Sequence, residues 1–584
     1  MRADLRRRLG VLVAIGVALL AFAGASWGAG HAVPAHKPSA ASSERVIVRA
    51  APGSEARAIA AVRKAGGQIG LRLPIVHGFA ARVPASSIES LRRLSFVVSV
   101  TKDASLEPQG TTYSPVSDEG SMYNTTLITG AQDMWKAGYT GKGVDVALID
   151  SGVVGVDGLT VSGKVVNGAD LSFESQASNL RYLDTFGHGT HMAGIIAGRA
   201  NAAVSGKYAG DQTNFLGMAP DARVVSIKVA DAHGATDVSQ VIAAISWVVQ
   251  HRKDNGLNIR VLNLSYGTNS TQAAALDPLS YAVEVAWKKG IVVVAAAGNA
   301  GYAMTGSLTN PATNPFVLAV GSVDTHGTTA MNDDTVSSFS SSSNWGANGS
   351  FRLVDLVAPG AHIVSLRDPG SYIDQKYGGT GAVTSKLFRG SGTSQSAAVV
   401  SGAAALVLQQ RPDLTPDEVK RILTYSATLI NAPAVSEGNG ELNLKTALPW
   451  PTSFIKGFVQ YLTPGTGKGT LEGSRGSNHL VKDSVSLSGE KDIFGKPFSS
   501  ATMAALEANG SSWSGGVWNG SSWSGSSWSG SSWSGSSWSG SSWSSVTWAG
   551  SSWSGSSWSG SSWSSNNWLS SSWADSTWSS ASWN

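Results

Sequence analysis

The chain has 584 residues, 14% of them charged, and its formal net charge is only +4. That balance, without any dense run of lysine or arginine, argues against a nucleic-acid-binding protein. Cysteine is absent, which excludes disulfide bonds, thiolate metal sites and a cysteine nucleophile.

The N-terminus has the three parts of a secretory signal peptide. Four arginines within the first eight residues precede an apolar stretch from Leu9 to about Ala23, and small residues suitable for cleavage follow. The apolar stretch is shorter than the roughly 20 residues of a membrane span, so a cleaved signal over 1–32 is favoured over a membrane anchor. The sequence therefore predicts a secreted, extracellular protein without a transmembrane anchor after cleavage, and a short linker at 33–44.

Residues 45–103 alternate short strands and helices in the order β-α-β-β-α-β. This order is typical of a small split α/β module. The stretch 104–125 is polar and irregular, which predicts an exposed connector.

The segment 126–448 has the pattern of a larger α/β domain. Strands are predicted where β-branched residues form short continuous runs, at 144–149, 224–229, 261–264, 291–296 and 317–320. Helical candidates alternate with them at 238–250, 279–288 and 397–409. Strands buried on both faces of a parallel sheet have this character. The sequence therefore predicts a doubly wound parallel sheet with its functional site at the carboxyl ends of the strands.

Beyond a second connector at 449–510, rich in glycine, serine and charge, residues 511–584 form a repeat. Fifteen tryptophans recur at every fifth position from Trp513 to Trp583, among serine and glycine. A helix would rotate successive tryptophans by about 140° and give no aromatic stripe. One hypothesis is a tail that stacks on cell-wall polysaccharide or another surface; a flexible tail without a defined ligand is an equal alternative.

The first chemistry-bearing motif is a glycine-flanked serine, Gly390-Ser391-Gly392-Thr393-Ser394, before a long run of small and apolar residues. The glycines allow a sharp turn and a close approach by substrate. The predicted helix N-terminus presents amides and a positive dipole, which would stabilise an oxyanion formed beside Ser394. A helix-capping serine has the same local pattern, so this segment alone leaves a nucleophile and a cap equally open.

The second motif contains two histidines three residues apart, His188 and His191. Such a pair could bind a metal, but no glutamate lies between them and no third ligand follows at a recognisable spacing. The alternative makes His188 a catalytic base at a helix start and His191 a packing residue.

A third motif favours the catalytic interpretation. Asp150 ends a predicted buried strand, where a carboxylate is costly unless it is paired, and an imidazolium is a suitable partner. Asp145 lies within the same strand and is a weaker candidate.

These three motifs resemble those of the subtilisin-like serine proteases, or subtilases, in which Asp, His and Ser follow in this order. The resemblance implies that Asp150 orients His188, that His188 deprotonates Ser394, and that Ser394 attacks a peptide carbonyl to form an acyl-enzyme. The protein would then be a serine endopeptidase acting on protein or peptide substrates, without a cofactor for the chemistry.

Two further segments extend the resemblance. The run from Val292 to Asn299 is similar to the family's oxyanion strand and loop, which implies that the Asn299 amide joins the Ser394 backbone N–H in an oxyanion hole. The segment Ser265, Tyr266 and Gly267 resembles the end of a strand that pairs with substrate, which implies substrate binding there.

The chain departs from the family pattern after the nucleophile. Ser396 stands where the family usually has alanine, and Ala398 where it usually has proline. Loss of the proline could alter the start of the helix and reduce activity.

Residues 45–103 resemble the inhibitory propeptide of the same family, through His77 to Pro84 and Val97 to Asp103. The resemblance implies a segment that assists folding, inhibits the enzyme, and is removed by self-cleavage between about Asp103 and Asn124. An unrelated small α/β domain is the alternative.

Structural calcium is common in the family, but its ligands cannot be assigned here. Asp184, Asp221 and Asp231 fit turns and helix caps as well as metal ligands. Two other functions stay open: a catalytically weak adhesion protein that acts through the tail, and a processing protease with a single target.

Overall fold

The computed structural model describes residues 43–103, 113–175, 177–301, 308–343, 352–482 and 485–522. The chain divides into two compact units between Gly110 and Thr111. The predicted signal peptide and the repeat beyond residue 522 lie outside the described residues. Within the described ranges, no helix is both long and apolar enough to cross a bilayer.

The first unit is a small α/β module with the predicted element order. Its elements are β1 (Ser43–Ala50), α1 (Glu55–Lys64), β2 (Gln68–Leu73), β3 (Gly78–Pro84), α2 (Ile88–Arg92) and β4 (Val97–Lys102). The strands form one antiparallel sheet in the order β2-β3-β1-β4. Val48, Val62 and Phe79 are fully buried between the sheet and the helices.

The second unit contains the predicted large domain and extends beyond it. Its helices are α3 (Met122–Ile128), α4 (Ala131–Lys136), α5 (His188–Ala197), α6 (Val238–His251), α7 (Pro278–Lys288), α8 (Tyr372–Gly381), α9 (Thr393–Gln410), α10 (Pro416–Tyr425), α11 (Ala434–Glu437), α12 (Leu444–Ala447), α13 (Leu471–Arg475) and α14 (Ser500–Asn509). Its strands are β5 (Asp145–Asp150), β6 (Val165–Asp170), β7 (Arg223–Lys228), β8 (Ile259–Leu264), β9 (Val292–Ala296), β10 (Leu318–Asp324), β11 (Thr335–Val336), β12 (Leu356–Pro359), β13 (Ile363–Leu366), β14 (Leu387–Gly390), β15 (Val481–Lys482), β16 (Val485–Ser486), β17 (Val517–Trp518) and β18 (Ser521–Ser522).

The main sheet confirms the predicted doubly wound α/β fold. Its strand order is β11-β10-β9-β8-β5-β7-β6, and β12 also pairs with β10. The pairings are parallel except for that of β11 with β10. Every residue of β5 and β9 is buried, which explains why β9 is wholly apolar and why β5 is apolar between Asp145 and Asp150. The strand order reverses at β5, and ligands of such sheets bind outside the carboxyl ends of the strands near that reversal.

Helix α9 is the central helix of this unit. It is buried from Thr393 to Leu408 and packs against α5, β8, β9 and β10. Its alanines and its one glycine allow this close packing: a Cβ added at Gly402 would lie 2.4 Å from the Cβ of Met218.

The segment 449–510, predicted as a connector, is folded onto the second unit where the structure describes it. Arg475 and Asp237 form an ion pair, with Nε 2.7 Å from Oδ1 and both side chains 0% exposed. The first two tryptophans of the repeat are also buried; Trp513 Nε1 donates to the Ala243 carbonyl at 2.9 Å, and Trp518 packs against Phe498. These anchors are scattered among glycines and serines, so the sequence shows no helical or strand periodicity that would identify them.

Helix α14 places a carboxyl group in the interior. Glu507 is buried and accepts a hydrogen bond from Ser246 Oγ of α6 at 3.3 Å. Burial raises the pKa of Glu507 from its ordinary value of 4.5 to about 8. The folded protein therefore favours the protonated carboxyl near neutral pH.

We expect Glu507→Gln to weaken the dependence of stability on pH. Because the folded-state pKa is raised, Glu507 stabilises the fold fully below pH 4.5, and this contribution is lost as the pH rises through about 8. Over that interval, the free energy of unfolding of the wild type should fall by on the order of a few kcal/mol more than that of the variant. Urea unfolding of the full chain at a series of pH values measures the difference.

Glu119→Gln, at an exposed carboxyl of the same unit, is the matched control and should follow the wild-type curve. If the Glu507→Gln curve ran parallel to the wild type from acid to alkaline pH, burial would not control this carboxyl.

Candidate active site

The candidate site begins with a buried carboxylate–imidazole pair. Asp150 ends β5 and His188 begins α5, and His188 Nδ1 lies 2.8 Å from Asp150 Oδ1 and 2.9 Å from Oδ2. Both side chains are only 1% exposed. Burial raises the pKa of Asp150, while the His188 ring and the Ser151 backbone N–H, which donates at 2.7 Å, oppose that rise. With the proton on Nδ1, the ring has its basic lone pair on Nε2, as a general base requires.

A second carboxylate fixes the start of α5. Asp184 Oδ1 accepts from the Gly187 N–H at 2.7 Å and from Ser151 Oγ at 2.8 Å, and Oδ2 accepts from the Thr190 N–H at 2.7 Å. Asp184 thus caps the helix that carries His188 and also binds the residue next to Asp150. The sequence predicts Asp184 only as a turn or cap residue, and its proximity to the glycine-rich start of α5 is the signal for this role.

Gly189 allows α5 to approach the end of β5. A Cβ at this position would lie 2.1 Å from the Gly152 carbonyl oxygen and 3.2 Å from Asp150 Oδ1. Any larger residue would therefore push His188 away from its carboxylate.

The second histidine of the motif is an uncharged interior residue. His191 is 1% exposed, and burial together with the nearby His188 lowers its pKa to about 3. Within the described residues, no three His, Cys, Asp or Glu side chains come together as a metal site.

Ser394 and Asn299 come together at the N-terminus of α9. Asn299 Oδ1 accepts from the Thr393 N–H at 2.9 Å and from Thr393 Oγ1 at 3.0 Å. A Cβ placed on Gly392 would lie 3.5 Å from Asn299 Nδ2 and 3.8 Å from the Ser394 backbone N. Both predicted oxyanion donors therefore border one small space beside Gly392. Helix α9, which carries Ser394, packs against α5, which carries His188.

The predicted substrate-binding segment follows β8 and is buried. Ser265 Oγ donates to the Ser394 carbonyl at 3.2 Å and accepts from Asn263 Nδ2 at 3.0 Å, so its side chain supports the first turn of α9. Tyr266 is buried, and a Cβ at Gly267 would lie 2.3 Å from Thr309 Oγ1. Because these side chains face the interior, substrate contacts here would have to use the backbone.

The two departures after Ser394 leave α9 continuous. Ser396 is fully buried and its Oγ donates to the Ala358 carbonyl of β12 at 3.0 Å. Ala398 is fully buried, and the helix runs without a break from Thr393 to Gln410. Ser396 thus adds a hydrogen bond between the sheet and the start of the helix.

A family model described as the subtilase family matches residues 141–445, just over half of the chain. The chain belongs to the subtilase family. Both the fold and the sequence motifs agree with this assignment, and the serine proteases among the relatives below support a serine-type endopeptidase. Structural calcium stays a prediction for this subtilase.

Curated relatives align with this subtilase over differing shares of their length. Serine protease AprX of Bacillus subtilis (strain 168) is 38% identical over 289 residues, 49% of this chain and 61% of that protein, so the chain spans less than two thirds of it. Subtilisin DY of Bacillus licheniformis is 33% identical over 327 residues, 56% of this chain and 97% of that protein. Subtilisin E of Bacillus subtilis (strain 168) is 30% identical over 387 residues, 66% of this chain and 84% of that protein.

We expect Gly392→Ala to reduce turnover by this subtilase while preserving its fold. The added methyl group would enter the space bordered by Asn299 Nδ2 and the Ser394 N–H, and would lie 2.9 Å from Gln395 Oε1. The φ of Gly392 is 165°, which alanine also adopts, so backbone strain is not expected. Blocking the donors should lower kcat on a peptide substrate roughly 10²-fold.

Gly379→Ala on α8 is the matched control, because a Cβ there has no neighbour within 4 Å, and it should keep wild-type kcat. Wild-type turnover by Gly392→Ala would show that no oxyanion occupies this space.

Proposed function

We propose that this chain is a secreted serine endopeptidase that hydrolyses internal peptide bonds through an acyl-enzyme on Ser394. The observation that carries the proposal is the buried hydrogen bond between His188 Nδ1 and Asp150 at 2.8 Å. A carboxylate and an imidazole removed from water, at the carboxyl edge of a doubly wound sheet, form a charge-stabilised general base.

In the proposed reaction His188 Nε2 accepts the hydroxyl proton of Ser394 while Ser394 Oγ bonds to the substrate carbonyl carbon. The oxyanion that forms accepts hydrogen bonds from the Ser394 N–H and Asn299 Nδ2. His188 then gives its proton to the departing amine, and the peptide C–N bond breaks. A water molecule, deprotonated by His188, releases the acid product and restores the Ser394 hydroxyl. Asp150 holds the ring in one orientation throughout and stabilises its charged form.

The proposed substrates are proteins or peptides bound in an extended conformation. Ser265, Tyr266 and Gly267 continue from the end of β8, and their buried side chains leave the backbone as the recognition element. An extended peptide could pair with the backbone of these three residues as an added strand.

The first unit supports a precursor form of the enzyme. Residues 45–103 fold as an independent module that precedes the catalytic unit, and we propose that they act as an inhibitory propeptide removed by self-cleavage. In the predicted interval from about Asp103 to Asn124, Ser121 and Asn124 are buried in the folded second unit, which favours cleavage before them. Secretion is proposed from the N-terminal signal pattern.

The adhesion alternative depends on the tryptophan tail, most of which lies outside the described residues. Trp513 and Trp518, its first two tryptophans, are buried in the second unit and are not available to a polysaccharide. Cell-wall binding by the later repeats stays a prediction, as does the assignment of a single physiological target.

We expect a fluorophosphonate probe to label the secreted wild type at Ser394, since labelling requires both a working base and oxyanion donors. His188→Ala should reduce the labelling rate strongly, and Ser394→Ala should abolish labelling. Ser396→Ala is the matched control, because it removes the next serine in α9 and introduces the residue that the family usually has there, so labelling should stay intact. N-terminal sequencing of the secreted proteins should find that the wild type has lost residues 45–103 and that Ser394→Ala has kept them.

Absence of probe on folded wild type would overturn the hydrolase proposal and leave adhesion as the better account. Labelling retained by Ser394→Ala would instead place the nucleophile elsewhere.

A further inference from the structure

The short helix α13 lies outside the residues matched by the family model, yet it contacts the capped ends of two helices in the catalytic unit. Arg475 Nε and Nη2 donate to Asp237, the N-cap of α6, at 2.7 and 3.2 Å. Ser474 Oγ donates at 2.9 Å to Asp277, the N-cap of α7. Arg475, Asp237, Ser474 and Asp277 are all fully buried.

The turn from Ser474 to Asn478, which begins at the end of α13, binds the chain immediately after the predicted substrate-binding segment. Thr268 Oγ1 donates to the Ser474 carbonyl at 2.6 Å, and the Asn269 N–H donates to Asn478 Oδ1 at 2.9 Å. A Cβ at Gly476 would lie 1.8 Å from the Asn269 carbonyl oxygen, so the two backbones approach as closely as glycine permits.

The segment from Ser265 to Gly267 is therefore held at both ends. On one side Ser265 bonds to the Ser394 carbonyl of α9, and on the other side Thr268 bonds to α13. Tyr266, between them, lies in the electrostatic field of the α13 contacts: burial raises the pKa of its hydroxyl, Asp237 and Asp277 raise it further, and Arg475 opposes them.

We propose that the turn from Ser474 to Asn478 is a positioning element for recognition of extended peptide substrates, which fixes the backbone of Ser265 to Gly267 through the residues that follow it. The inference rests on the proposed function. A substrate that pairs with several residues of this backbone needs the strand in one conformation, whereas a short ester that occupies only the nucleophile region does not. Loosening the turn should therefore raise KM for the extended substrate selectively.

The test compares an extended peptide amide with a short amino-acid ester on the protein purified after secretion. Thr268→Val removes the hydroxyl that bonds to the Ser474 carbonyl with little change of shape, and Asn478→Ala removes the acceptor of the Asn269 N–H. Each variant should raise KM for the peptide roughly fivefold, the effect of losing one buried hydrogen bond, and leave kcat and the ester kinetics near wild type. Thr268→Ser restores the hydroxyl and should restore KM.

Trp513→Phe is the matched control, because it removes a hydrogen bond between the C-terminal segment and Ala243 of α6 that involves neither Thr268 nor α13. It should lower the thermal midpoint without changing the ratio of peptide to ester KM. The inference is overturned if Thr268→Val and Asn478→Ala leave that ratio unchanged. It is also overturned if KM rises equally for the peptide and the ester while the thermal midpoint falls. A wild type that cleaves neither substrate would contradict the proposed function itself.

Discussion

The hydrogen bond between Asp150 and His188 is the constraint on which the rest of the site depends. A carboxylate that is 1% exposed is destabilised by the loss of water unless donors replace it. The imidazole and the Ser151 N–H are those donors, and they require the end of β5 and the start of α5 to meet closely. Gly189 permits this approach, and Asp184 fixes it by capping α5 while binding Ser151.

Helix α9 links that pair to the remaining part of the site. Its first turn bonds to three different strand ends: Thr393 to Asn299 after β9, the Ser394 carbonyl to Ser265 after β8, and Ser396 to β12. The conformation around Ser394 is therefore determined by the sheet. Small residues along α9 allow the helix to lie within contact of α5 and the central strands, so the sheet, the helix that carries His188 and the helix that carries Ser394 form one packed body.

The sequence alone predicts those parts of the fold whose residues form a local pattern. Continuous β-branched runs predicted the parallel strands because both faces of the sheet are buried. It also ranked Asp150 above Asp145, and the structure supplies the reason: Asp145, at the amino end of β5, forms a bidentate ion pair with Arg223. The strand-end position of Asp150 predicted a charged partner such as an imidazolium, and the resemblance to the subtilases implied that this partner is His188.

The contributions of Asp184 and of the C-terminal segment depended on tertiary contacts that no local pattern reveals. Asp184 looks like any helix cap until Ser151 is placed beside it. Arg475 lies in a one-turn helix between glycine-rich stretches, so neither periodicity nor composition distinguishes it from an exposed arginine. Its partner Asp237 is 238 residues away in sequence, and only the folded chain brings the two together.

The crystal structure of the secreted protein after reaction with a fluorophosphonate tests the central claim most directly. The account predicts phosphorus bonded to Ser394 Oγ, a phosphoryl oxygen within hydrogen-bond distance of both the Ser394 N–H and Asn299 Nδ2, and His188 still bonded to Asp150 through Nδ1. A phosphoryl oxygen directed away from Asn299, or a His188 ring turned from Asp150, would contradict it.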